Sequence, residues 1–175
     1  AGMERWSKST AFLNGDTVEI ELHAAAGADG ARVKSERLLV EQGQVAQLGA
    51  PGECGICNSD DRVPSSEAWT GRLLPIGCTA SIFCEDGTVT SAGHCAVGND
   101  LVLEFNVPPS TSGCALMHPP VADQYPIVSQ LFLNGGVGAD WSVMRPGVNS
   151  AGQTCFERQR QLRRYSTTVA ARAAG

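Results

Sequence analysis

Val18, Ile20 and Leu22 alternate with Glu19, Glu21 and His23 directly after an Asn14-Gly15-Asp16 turn signal. Period-two alternation of this kind predicts a strand with one buried and one wet face. His23 falls on the wet face and reads as a surface residue. An Ala/Gly-rich loop over 24–31 leads to a second predicted strand near 32–41, with Leu38, Leu39 and Val40 as its apolar part. Residues 1–45 thus read as a small β segment, too little to be stable alone. Residues 46–71 form a Gly/Ser/Pro-rich connection that holds Cys54-Gly55-Ile56-Cys57. Strand patterns return at Leu73–Phe83, at Thr88–Thr90 after an Asp86-Gly87 turn, and at Leu101–Val107. After a Pro-rich loop over 108–126 they resume at Ile127–Leu133 and, beyond Asn134-Gly135-Gly136, at Trp141–Met144. Short strands at this spacing predict an all-β chain, a barrel or a sandwich.

Composition narrows the classes. At 175 residues the chain suffices for one substantial core. Aromatic residues are few and the formal net charge is −5, so neither nucleic acid nor an anionic membrane is an expected partner. No apolar run approaches the roughly 18 residues of a membrane span. The acids are unevenly placed: residues 1–150 hold 17 of the 18, whereas the last 25 residues hold one acid and five arginines. Residues 156–175 therefore read as a basic tail with some helical propensity and a thin apolar stripe, expected to be solvated or disordered. The seven cysteines (Cys54, Cys57, Cys78, Cys84, Cys95, Cys114 and Cys155) suit an exported, oxidised protein. A secreted or periplasmic location is expected on that ground, although no basic-then-apolar signal is visible.

Chemistry concentrates in two places. Thr90-Ser91-Ala92-Gly93-His94-Cys95 sets a histidine between a glycine and a cysteine at the end of a strand pattern, and Gly138-Ala139-Asp140-Trp141-Ser142-Val143 follows. Histidine titrates near neutrality and can take up and return a proton. It serves as a general base when a carboxylate fixes its tautomer. Asp140, 46 residues beyond His94, is the candidate for that carboxylate. His118, between Met117 and Pro119 in a loop, reads as non-catalytic.

With Gly77-Cys78-Thr79-Ala80-Ser81-Ile82-Phe83 added, these motifs resemble the trypsin/chymotrypsin family of serine proteases, in particular its bacterial exported branch. The resemblance covers roughly residues 72–155. It implies the first barrel of a double-barrel fold, with a disulfide between Cys78 and Cys95 that pins the histidine's loop. It further implies a serine endopeptidase acting on peptide or protein substrates through an acyl-enzyme, with His94 as general base and acid and Asp140 as its orienting partner. No cofactor and no metal are implied.

The nucleophile does not follow. Ser142, Ser150 and Ser166 all lack the Gly-Asp-Ser-Gly surroundings of the family, and only 35 residues follow Asp140. A second barrel needs on the order of a hundred residues at ordinary strand and loop lengths. The expectation is an inactive fragment, produced by truncation, a shifted frame or a natural ending. Two alternatives remain open at this point. One is a non-catalytic β-barrel binding module derived from a protease. The other is a zinc site built from Cys54-x-x-Cys57 with Cys78 or Cys84.

Overall fold

In the computed structural model, residues 10–40, 67–109 and 116–163 are described. Six antiparallel strands close into a barrel: β1 (Thr70–Leu74), β2 (Cys78–Ile82), β3 (Val89–Ser91), β4 (Val102–Glu104), β5 (Gln124–Asn134) and β6 (Asp140–Pro146). Their order around the barrel is β1-β2-β3-β6-β5-β4, and the pairing of β1 with β4 closes it. The all-β expectation holds for this unit, and closure leaves no strand edge of the barrel unpaired.

Alternation decides what points inward. On β6, Ser142 and Met144 are buried while Trp141, Val143 and Arg145 face out. Leu73, Ala80, Val89, Leu103, Phe105, Tyr125, Ile127 and Met144 meet in the core, with Phe105 and Tyr125 edge to face. Each large side chain buried there contributes about 1.5–3 kcal/mol. The apolar stretch Leu73–Phe83 is two strands rather than one. Pro75 has no N–H to give to a ladder, and a turn closes over it with the Gly77 N–H donating to the Leu73 carbonyl at 2.9 Å. β5 begins at Gln124, inside the stretch expected to be loop.

Two expectations need correction. Residues 10–40 contain no strand, and Val18, Ile20, Leu22, Leu38, Leu39 and Val40 are all exposed. The N-terminal β segment expected over residues 1–45 is therefore not found in its described part. Alternation makes a segment compatible with a strand, but a strand persists only where a ladder partner and a covering layer exist. What does dock is a short strap. The Phe12 N–H donates to Gln124 Oε1 at 2.9 Å and its carbonyl accepts from Gln124 Nε2 at 2.8 Å.

The second correction concerns the start of the basic tail, where residues 155–163 form a helix (α1). Thr154 and Glu157 cap it reciprocally: the Glu157 N–H donates to Thr154 Oγ1 at 3.2 Å and the Thr154 N–H to Glu157 Oε2 at 2.9 Å. Cys155 and Gln159 are buried, Arg158 pairs with Asp123 at 3.0 Å, and Phe156 stacks on Trp69. Residues 164–175, the rest of the expected tail, lie outside the described residues, as do Cys54 and Cys57 in the connection.

Candidate active site

β3 runs out at Ser91, and Gly93–Ala96 turn sharply as one 3-10 turn, which the Cys95 N–H closes on the Ala92 carbonyl at 3.2 Å. His94 thus stands at the end of the barrel rather than within its wall. Asp140 opens β6, opposite Asn134 on β5. Because β3 and β6 are neighbours, with Ser91 opposite Ser142, the two residues meet despite their separation in sequence.

The contact is doubled. His94 Nδ1 lies 2.6 Å from Asp140 Oδ2, and the His94 backbone N–H donates to Asp140 Oδ1 at 2.8 Å. One carboxylate therefore holds both the ring and the main chain of the same residue. Facing an ionised carboxylate, Nδ1 carries the proton and donates it, which leaves the lone pair on Nε2. The His94 side chain is 59% exposed and that of Asp140 24%. No hydrogen bond among the described residues reaches Nε2. The hydrogen bond from the His94 ring, followed by that from its backbone N–H, holds the Asp140 carboxyl below the usual range.

Three further links fix the pair. Cys78 and Cys95 are joined as a disulfide with their α-carbons 6.0 Å apart, tying the histidine's turn to β2. Ser142 Oγ donates to the Ala92 carbonyl at 2.9 Å, and Thr90 Oγ1 donates to the Ser142 carbonyl at 2.9 Å, clamping β3 to β6 just before the turn. Gly93 is the third. A Cβ there would overlap the Leu133 carbonyl oxygen and lie 2.9 Å from the Trp141 carbonyl oxygen. Only a residue without a side chain lets the turn press this close to both strands.

The roles of the remaining candidates follow from their surroundings. Ser142 is fully buried with its hydroxyl committed to a carbonyl, so it is a clamp and not a nucleophile. Ser150 is exposed on the chain after β6, and Ser166 lies outside the described residues. Cys78 is tied up in its disulfide, which removes it from a zinc site with Cys54 and Cys57 in the oxidised protein. Cys84 is an exposed free thiol and Cys155 a buried one. Burial pushes the Cys155 thiol up to about 12.

His118 lies in a setting the sequence did not suggest. Its Nδ1 lies 2.8 Å from Glu104 Oε1, and Arg72 holds Glu104 Oε2 through Nε at 3.0 Å and Nη2 at 2.7 Å. Phe12 stacks on the imidazole with ring centres 5.0 Å apart. This buried Arg72–Glu104–His118 cluster joins β1, β4, the loop before β5 and the N-terminal strap.

Beside the His94–Asp140 pair, Leu131 faces Val143 and Leu133 faces Trp141 across β5 and β6, and all four are exposed. They form an apolar strip adjoining Asp140. No helix among the described residues is long and apolar enough to cross a membrane. Compared with known proteins, the chain matches no protein-family model, and no curated protein matches its sequence.

Proposed function

We propose that this chain carries the histidine–aspartate half of the catalytic site of a trypsin-like serine endopeptidase, working in an oxidising compartment. The single observation that carries the reading is the doubled contact of Asp140 with His94, at 2.6 Å to the ring and 2.8 Å to the backbone N–H. The Cys78–Cys95 disulfide behind the turn supports it and also favours an exported protein.

In this reading Asp140 fixes the tautomer and Nε2 presents its lone pair to solvent. A serine hydroxyl placed there loses its proton to Nε2 as it attacks a peptide carbonyl. Asp140 stabilises the resulting imidazolium, which then protonates the leaving amine. On this reading a further unit, whether on this polypeptide or another, supplies the nucleophile and the oxyanion donors, and the apolar strip beside Asp140 suits a surface that such a unit covers. Among the described residues no serine hydroxyl is bonded to Nε2.

The test has two arms. A serine-directed fluorophosphonate should label no serine of the purified chain, and mixed peptide substrates should remain intact. A separately prepared second barrel carrying a Gly-Asp-Ser-Gly serine should become reactive when the chain is added. That reactivity should vanish with His94→Ala and fall by roughly 10⁴-fold with Asp140→Asn. Turnover by the chain alone that depends on His94 would refute the half-site. Equal reactivity with wild type and His94→Ala would refute His94 as the base.

A further inference from the structure

We propose that reduction of the Cys78–Cys95 disulfide turns the same end of the barrel into a zinc site, with the two thiolates and a ring nitrogen of His94 as its protein ligands. The ligand atoms of Cys78, Cys95 and His94 all lie within 4.8 Å of one another. Among the described residues they are the one group of three or more His, Cys, Asp or Glu side chains gathered this tightly. Tetrahedral zinc, with Zn–S near 2.3 Å and Zn–N near 2.0–2.1 Å, places its ligand atoms about 3.5–3.8 Å apart. Once their mutual bond is broken, the two sulfurs need only separate to that distance, across α-carbons 6.0 Å apart.

The remaining features suit a metal centre. Three protein ligands leave the fourth position of the tetrahedron to water, and the exposure of His94 keeps that side open. With Asp140 holding Nδ1, the ligating nitrogen would be Nε2, and the carboxylate would orient the ring as outer-shell carboxylates orient ligating histidines. Soft thiolates select zinc over magnesium or calcium.

The redox step balances with a trialkylphosphine as reductant. The phosphine gives up two electrons and takes the oxygen of water, the S–S bond breaks, and each sulfur gains an electron and a proton. Binding of Zn²⁺ then releases those two protons to solvent. A zinc-bound imidazole cannot accept a proton, so the metal would block His94 as a base. That consequence rests on the endopeptidase reading, whereas the binding rests on the geometry alone.

Cobalt is the probe, because tetrahedral thiolate coordination gives it visible d–d bands and a thiolate charge-transfer band. The background variant carries Cys54→Ser, Cys57→Ser, Cys84→Ser and Cys114→Ser, so that the only thiol left beside the pair is that of Cys155, which is buried in the barrel. Reduced by phosphine under argon, it should bind one equivalent of Co²⁺ with both features, and Zn²⁺ should displace it. Oxidised protein should bind at least 100-fold more weakly, and His94→Ala should weaken binding at least tenfold. An unchanged cobalt spectrum and affinity in His94→Ala would overturn the proposal. So would equal binding by oxidised protein, or a reduced barrel that loses its near-UV dichroism and does not regain it with cobalt. None of these readouts uses peptidase activity, so failure here leaves the endopeptidase reading standing, and the converse also holds.

Discussion

Gly93→Ala tests whether the half-site depends on how closely the histidine's turn approaches β5 and β6. The added Cβ would overlap the Leu133 carbonyl oxygen, and would sit 2.7 Å from the Leu133 carbonyl carbon and 2.9 Å from the Trp141 carbonyl oxygen. Favourable contacts between carbon atoms begin near 3.5 Å, so the Leu133 carbonyl carbon would have to retreat by roughly 0.8 Å and its overlapped oxygen by more. The clashing atoms belong to the main chains of two paired strands, with Leu133 opposite Trp141, and no side-chain rotation relieves them. Overpacking costs about 1–3 kcal/mol in general. A clash with paired backbone belongs at the upper end, at about 3 kcal/mol. For a domain of this size that lowers the melting temperature by roughly 6–12 °C.

The displacement also pulls the His94 N–H away from Asp140 Oδ1, so stability and site geometry should fail together. Thermal melts followed by near-UV dichroism read the first, and the low-field Nδ1 proton in one-dimensional NMR reads the second. Gly136→Ala in the β5–β6 turn is the comparison. Its Cβ meets nothing within 4 Å, and only its positive φ of 82° is strained. It should lose some stability and keep the low-field proton. A Gly93→Ala protein that melts within about 2 °C of wild type and retains that proton would refute the close-approach argument.

Three further outcomes are expected. The Asp140 carboxyl, held low by His94, adds stability that is fully present above its unfolded value near 3.8 and is lost as pH falls through the lower folded value. Urea midpoints of wild type and Asp140→Asn should therefore converge only in strong acid, and a constant gap down to pH 2 would contradict this. Cys84 should react with iodoacetamide at pH 8 while Cys155, with its thiol raised to about 12 by burial, stays unmodified in folded protein. Peptide mass mapping that finds Cys155 alkylated first would reverse the assignment. Glu104→Gln should cost about 3 kcal/mol in urea unfolding, because it leaves the largely buried Arg72 guanidinium without its counter-charge. The double change Arg72→Met with Glu104→Leu should recover much of that loss, and a double variant as unstable as the single one would sink the account.

The barrel strands were legible because most of their inward positions are apolar, as Leu73, Ala80, Val89, Leu103, Ile127 and Met144 are, although Ser142 on β6 is not. Closure was not, since pairing β1 with β4 joins stretches about 30 residues apart and depends on register. The N-terminal alternation misled for a related reason. Val18, Ile20 and Leu22 satisfy the pattern of a strand, yet periodicity carries no information on whether a partner strand is available. The tail carried a readable signal that composition hid: Thr154-Cys155-Phe156-Glu157 is a capping box. α1 then packs through a cysteine, a glutamine and aromatic stacking rather than through a broad aliphatic stripe. The Arg72–Glu104–His118 cluster had no local signal at all. Glu104 sits in an otherwise apolar Leu101–Phe105 run, and its partners come from other elements.

His94 and Asp140 were legible as a pair, but the reasons they hold together are spread over the barrel. The carboxylate grips the ring and the main chain of one residue, the disulfide ties that residue's turn to β2, and the Thr90 and Ser142 hydroxyls lock β3 to β6 beneath it. All of these links lie within the barrel itself. The orientation of the imidazole is thus set before anything approaches Nε2, which is the condition under which a base needs little reorganisation when it acts. On the endopeptidase reading, the unit that brings the serine has only to place a hydroxyl at a lone pair whose direction is already fixed. Changes outside the His94–Asp140 contact that loosen β3 from β6, such as Ser142→Ala, should therefore lower reactivity through the histidine's position, with the serine left untouched.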